Sequence, residues 1–256
     1  MGPHVSVVEY AIADGIGHIT LNRPERMNAV TTELAGHLEH ALSELSNIAS
    51  VNVILIRGSG GNFCAGGDVA EVERLRSEGP ERLRTLFDAF RRACDVIART
   101  GVPVIAAVEG VATAGGFELM QAADIVIVSD DAKIADNHIN FGMIPGGGST
   151  QRLPRLVGRQ IALGLLLSGD RLSGRDAVRL GLAYRSFAPH EFDYGVSHFV
   201  SQLAGRDRAA VATIKKLVGD ARQRSLSQGL DDEISAVVAH ITGHGVDEFG
   251  RVGASS

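Results

Sequence analysis

Residues 31 to 48, TTELAGHLEHALSELSNI, repeat their apolar side chains at helical spacing. Leu34, Leu38, Ala41, Leu42 and Leu45 fall on one face, and Thr31 or Thr32 can cap the start. Elsewhere the period changes. VSVVEYAI (5–12) and GHITLNRP (17–24) read as strands around Asp14-Gly15-Ile16-Gly17, which predicts a hairpin. VNVILIRG (51–58), VPVIAAVEG (102–110) and DIVIVSD (124–130) are continuous apolar runs, the pattern of strands covered on both faces. A long helix is predicted from Pro80 to about Arg99, and another starts at GGFELMQAAD. From about residue 150 the chain turns mostly helical, through QRLPRLVG, RQIALGLLLSG, SGRDAVRLG and a long stretch over 206–242. The tail GRVGASS reads as disordered. Apolar strands alternating with helices imply an α/β part with a parallel sheet, followed by an α-rich C-terminal part.

A length of 256 residues suits one domain, or one with a small appended part. The 45% hydrophobic content, without an uncharged run long enough to cross a bilayer, reads as a soluble globular protein. No charged and apolar leader precedes the first strand, so no secretory signal is expected. Cys64 and Cys94 are too few for a disulfide scaffold or a thiolate zinc site, and they suit a reducing cytoplasm. A formal charge of −5 argues against nucleic acid or a membrane surface as partner. The arginines between Glu81 and Arg99 read as a solvated helix face with acidic partners. The histidines show no pairing that argues for a metal; His37 and His40 share a helical face and are expected at the surface.

Three glycine-rich stretches stand near predicted strand ends or helix starts: 58–68, Ala112 to Glu118, and Pro145 to Thr150. GGGST lacks the lysine and the leading strand of a phosphate loop. Gly58-Ser59-Gly60 lacks the third glycine of a dinucleotide fingerprint. The chemical alternative is an oxyanion hole. Backbone N–H groups at a helix start are unpaired and carry partial positive charge, and glycine lets a ligand oxygen come close. Two such groups from different loops can hold one developing oxyanion. The plain alternative is that the glycines only make turns.

Four segments in order carry a resemblance: LNRPERMNAV (21–30), FCAGGDVAEV (63–72), PVIAAVEGVATAGGFELMQAADIVIVSDDAKIA (103–135) and FGMIPGGGSTQRLPRLVG (141–158). Together they resemble the crotonase superfamily, the enoyl-CoA hydratase/isomerase family. The resemblance implies an α/β fold, a spiral of ββα units over 1–195 with a C-terminal α-helical trimerisation region over 196–256. It implies homo-trimers, often paired as hexamers, an acyl-CoA thioester as substrate, and no cofactor beyond coenzyme A within that substrate. Gly67 and Gly115 match the two oxyanion-hole positions. Arg23, Met27, Asn28 and Ala29 match the segment along the CoA nucleotide. Ala65, Asp68 and Val69 would line the adenine and pantetheine path, beside the glycines Gly66 and Gly116. Glu118 matches the first catalytic glutamate of the hydratases. A polarised carbonyl makes C3 electrophilic, a stabilised enolate makes C2 or C4 protons removable, and a carboxylate in reach can act as acid or base.

The chain departs from the family at the second carboxylate. Counting back from Gly142-Met143-Ile144-Pro145-Gly146, that position is His138, with Asp136 two residues earlier. Either His138 replaces the glutamate, Asp136 swings in, or Glu118 works alone; His138 can also be a pocket-lining residue with no proton to move. Asp136 also suits a turn cap. Lys215 and Lys216 could reach CoA phosphates or serve the surface, and the family's basic C-terminal ending is absent. The expected activity is hydration of a 2-enoyl-CoA. Δ3,Δ2-enoyl-CoA isomerisation, another reaction of the superfamily, or CoA binding with little activity are the alternatives.

Overall fold

The computed structural model describes residues 6–243. The hairpin is present: β1 (Val8–Ala13) pairs antiparallel with β2 (Ile16–Leu21), so that Ala13 faces Ile16. Asp14 and Gly15 both take positive φ, 51° and 77°, the turn that matches strand twist in a two-residue hairpin. Helix α1 (Thr32–Asn47) follows, and the Thr31 side chain accepts from the Leu34 N–H. The predicted face, Leu34 to Leu45, is wholly buried.

The runs read as double-covered strands are β3 (Val53–Gly58), β4 (Val104–Val108) and β6 (Ile125–Ser129). With β8 (Arg185–Phe187) they complete a six-stranded sheet in the order β1-β2-β3-β4-β6-β8, parallel from β2 onward. Alternation decides which core each side chain joins. Ile54, Ile56, Val104, Ala106 and Val108 face the main core, with α1 and α3 (Pro80–Arg99). Val53, Leu55, Ile105, Ala107 and Ile127 face the other side, against Phe192, Val196 and Val200 of α8 (Phe192–Ala204). Both faces are apolar, so the strands carry no polar alternation.

A second column of rungs runs beside this sheet. Val30 bridges Gly67, Cys64 bridges Ala112, and Ile134 bridges Leu172. Between them β5 (Val111–Thr113) pairs in parallel with β7 (Lys133–Ala135). Each turn of chain thus adds one rung to each column and then a helix: α4 (Gly115–Ala122) after β5, and α5 (Ser149–Val157) after β7. The glycine loops lie at these rungs. The sequence did not announce β5, β7 or β8, because three residues carry too little period. Nor did it announce α2 (Val69–Ser77), whose one buried residue is Leu75. α6 (Arg159–Ser168) and α7 (Gly174–Arg179) fill the expected helical stretch.

The arginines of α3 are neutralised on the surface. Arg82 meets Glu78, Arg84 meets Asp88, Arg91 and Arg99 meet Asp95, and Arg92 meets Glu39. The chain divides after Gly205 into two compact units. In the second, the 206–242 stretch is two helices, α9 (Arg208–Asp220) and α10 (Leu226–Gly243), with Asp207 capping the first. Ile214, Val218, Leu230, Ile234 and Ile241 on them are exposed. The tail GRVGASS lies outside the described residues. Among the described residues no helix is long and apolar enough to cross a membrane.

Candidate active site

Two glycine loops meet at the start of α4. Cys64 pairs with the β5 segment, its N–H donating to Val111 O and its carbonyl accepting from Thr113 N–H. Gly66, at φ 104°, then turns the chain so tightly that an added Cβ would stand 2.7 Å from the Ala114 methyl. Gly116 lies against the same rung, where a Cβ would stand 2.0 Å from the Cys64 carbonyl oxygen. Ala114 itself is held at φ 48° and ψ −117°, a conformation costing a non-glycine residue about 1–3 kcal/mol. This strain sits where the chain must turn from β5 into α4.

The result is a pair of free donors. Gly115 is the first residue of α4, so its N–H has no partner within the helix. Gly67 bridges Val30 through its neighbours: Val30 N–H donates to Gly66 O and Asp68 N–H donates to Val30 O, at 2.7 and 2.9 Å. Among the described residues neither the Gly67 N–H nor the Gly115 N–H has an acceptor in the loop hydrogen bonds. Both glycines line one cavity of about 330 Å³. A Cβ built on Gly115 would stand 3.6 Å from Gly67 N, which places the two loops in contact.

Glu118 faces the same cavity from one turn into α4 and is 2% exposed. Its Oε1 accepts from the Gly147 N–H at 2.7 Å and the Ser149 N–H at 3.1 Å. Burial pushes its carboxyl above the ordinary range, and the charge of Asp136 adds to this. The Ser149 N–H, His138 and the Gly147 N–H oppose the rise without cancelling it. These donors come from the GGGST stretch, which in sequence falls short of a phosphate loop. The signal was there in the unpaired N–H groups of that helix start.

His138 lines the cavity too. Its Nδ1 lies 2.7 Å from Oδ1 of Asp136, which is 1% exposed. Burial lowers the imidazole's affinity for a proton, but the hydrogen bond and charge of Asp136, with the charge of Glu118, outweigh it and raise the pKa. Apolar walls complete the space: Leu86, Phe87 and Phe90 from α3, Val72 from α2, and Phe141 and Met143 beyond His138.

Of the other expected residues, Ala65 and Val69 line the cavity. Arg23, Asn28 and Asp68 are engaged in holding the loop. The Arg23 guanidinium donates to Asp68 Oδ2 and to Ala29 O, at 2.9 and 2.6 Å. Asn28 is fully buried; its Oδ1 accepts from Arg23 N–H, and its amide donates to Ser59 O and Asn62 O. Ala29 is buried and Met27 is 46% exposed, at φ 47°. Lys216 pairs with Asp220 on the surface of α9. Cys64 is sealed, and burial pushes its thiol up to about 12, which leaves it no nucleophilic character. Among the described residues no cluster of three or more acidic, His or Cys ligands could hold a metal.

A model of the enoyl-CoA hydratase/isomerase family matches residues 11–248. The peroxisomal Delta(3,5)-Delta(2,4)-dienoyl-CoA isomerase of Arabidopsis thaliana is 32% identical over 224 residues, covering 84% of this chain and 81% of the relative. The mitochondrial enoyl-CoA hydratase of Pongo abelii is 32% identical over 227 residues, covering 86% of this chain and 77% of the relative. The crystal structure of an enoyl-CoA hydratase from Polaromonas sp. JS666 superimposes with a TM-score of 0.90 at 30% identity, covering 94% of this chain and 96% of that one.

Proposed function

Since the chain belongs to the enoyl-CoA hydratase/isomerase family, we propose that it is an enzyme of the hydratase type, adding water reversibly to a 2-enoyl-CoA. The observation that carries the reading is a single cavity holding Glu118 beside two free backbone donors, Gly67 and Gly115. The thioester oxygen sits between those N–H groups, which strengthen their grip as enolate charge develops. Glu118, with Oε1 held by two amides, takes a proton from water through its other oxygen as hydroxide adds to C3. Burial keeps its basicity above that of a free carboxylate, which suits a base working near neutral pH. The enolate then collects a proton at C2.

Ala65, Gly66, Val69 and Gly116 border the path of the pantetheine arm. Arg23, Met27, Asn28, Ala29 and Asp68 shape the loop against which the CoA nucleotide lies. No cofactor is needed beyond the coenzyme A of the substrate. The exposed apolar residues of α9 and α10 support assembly into homo-trimers or hexamers, since faces of this kind are covered in a partner. Two buried, unpaired thiols suit a cytoplasmic protein.

One observation favours a second reading, Δ3,Δ2-enoyl-CoA isomerisation. Among the described residues Glu118 is the one carboxylate lining the cavity, and one base suffices to carry a proton from C4 to C2. The test is loss of the enoyl-thioester absorbance of crotonyl-CoA, run beside Glu118→Gln. Turnover that collapses in the variant supports hydration. A folded, CoA-binding wild type that leaves crotonyl-CoA untouched but converts a 3-enoyl-CoA supports the isomerase.

A further inference from the structure

Among the described residues the cavity is lined by two titratable side chains, Glu118 and His138, and behind the second lies a carboxylate that the reaction above does not use. Asp136 follows β7 directly and is 1% exposed. Its Oδ1 lies 2.7 Å from the ring Nδ1 of His138 and 3.5 Å from the His138 backbone N. Its Oδ2 is sealed from solvent and has no hydrogen-bond partner among the described residues. A buried, half-satisfied carboxylate is expensive to keep. An asparagine could accept the same Nδ1–H without carrying the charge. The charge therefore has work to do on the imidazole.

We infer that Asp136 is a positioning residue: it fixes His138 in the tautomer with Nδ1 protonated, leaving Nε2 to face the cavity as the site's second proton carrier opposite Glu118. The inference rests on the proposed hydration for the identity of the step, though not for the tautomer. During hydration Glu118 takes a proton from water as the C3–O bond forms. The imidazolium then gives its Nε2 proton to C2, and the proton on Glu118 returns to Nε2 to reset the site. Atoms and charge balance without a second glutamate. The charged groups that face His138 are Asp136 on its own segment and Glu118 on α4. Both favour the imidazolium, whereas two carboxylates would have raised each other.

Two measurements test this. Long-range proton–nitrogen NMR spectra of histidine-labelled protein, with the His138 signals assigned by their loss in His138→Gln, read the tautomer without any substrate. The expected result is a protonated Nδ1 throughout and titration at Nε2, with the midpoint moved to lower pH in Asp136→Asn. A proton resting on Nε2 in the neutral wild-type ring, or an unmoved midpoint in a folded Asp136→Asn, would overturn the inference. The kinetic arm uses crotonyl-CoA. His138→Gln should lose about 10²–10⁴-fold in kcat, the range of general acid–base catalysis, with Asp136→Asn losing at least about tenfold at little change in KM. Its pH–rate limb should move to lower pH with the NMR midpoint. Full activity in His138→Gln would remove the proton-carrier role. An inactive wild type with the expected tautomer would instead place the failure in the hydration reading.

Discussion

Gly147→Ala would place a methyl group where the cavity has no room. Its carbon would stand 2.4 Å from Cε1 of Phe90 and 2.6 Å from Oε2 of Glu118. Carbon–carbon contacts settle at about 3.5–4.0 Å, so more than about 1 Å must be found. Phe90 is 4% exposed and Glu118 2%, so neither can swing into solvent. The loop must shift, and with it the N–H that holds Oε1 at 2.7 Å. A hydrogen bond to a charged group is worth about 1.5–3 kcal/mol. A displacement of about 1 Å at a reacting group can cost about 10²-fold in rate. The first route gives a kcat loss of about 10- to 150-fold and the second about 100-fold, which together set the expected loss at about 10–100-fold. The assay is crotonyl-CoA hydration, with far-UV circular dichroism for folding and calorimetry for CoA binding, which should persist because the proposed CoA path runs along the 65–69 loop. Gly164→Ala is the companion, since an added Cβ there meets nothing within 4 Å. A folded Gly147→Ala with kcat within about threefold of wild type would refute the claim that this loop positions the base.

Gly36→Ala, in α1 where an added Cβ also meets nothing within 4 Å, should stabilise the protein by up to about 1 kcal/mol in urea unfolding. Leu38→Ala, from a side chain with no exposed surface on the same helix, should destabilise by about 2–5 kcal/mol in that assay. For Asp68, burial raises the carboxyl pKa, but the hydrogen bond from Arg23 and the α2 amides hold it below its ordinary value. The stability this gives is present above the unfolded pKa of about 3.9 and is lost as pH falls through the lower folded value. Wild type should therefore exceed Asp68→Asn near neutrality, and the gap should close on acidification below about pH 4; a gap that widens there would contradict the ion pair's role. The native protein should give no reaction with a thiol reagent at mildly alkaline pH, since burial pushes both Cys64 and Cys94 up to about 12, and should react fully once unfolded.

How far the sequence could be read depended on element length and on whether a signal was local. α1 and α3 announce themselves because a long amphipathic face repeats several times, and β3, β4 and β6 because burial on two sides leaves runs of four or five apolar residues, with Arg57 and Ser129 only at the strand ends. The three-residue strands β5, β7 and β8 are invisible, since their order comes from the neighbours they pair with. The break between α9 and α10 likewise escapes a periodicity that runs on across it. At the site, motif and helix-start chemistry singled out Glu118 and the two glycines that the fold brings to one cavity. The tie between Asp136 and His138 was not, although they are two residues apart, because nothing local says which way the Asp136 side chain turns. Gly147 and Ser149 contribute main-chain amides rather than side chains, and only the helix start they belong to hinted at them.

The second column of rungs has a consequence for how such a protein can change. The donors at Gly67 and Gly115 belong to the main chain, and their placement follows from bridges between successive turns. Exchange of a side chain elsewhere cannot delete an amide. Only bulk added to the tight glycines, or loss of a rung, would displace one. Glu118, His138 and the aromatic wall are ordinary side chains that a single codon can alter. In the proposed mechanism, then, the clamp for the carbonyl is written in the path of the chain, while the groups that would handle protons around it are side chains open to replacement one at a time.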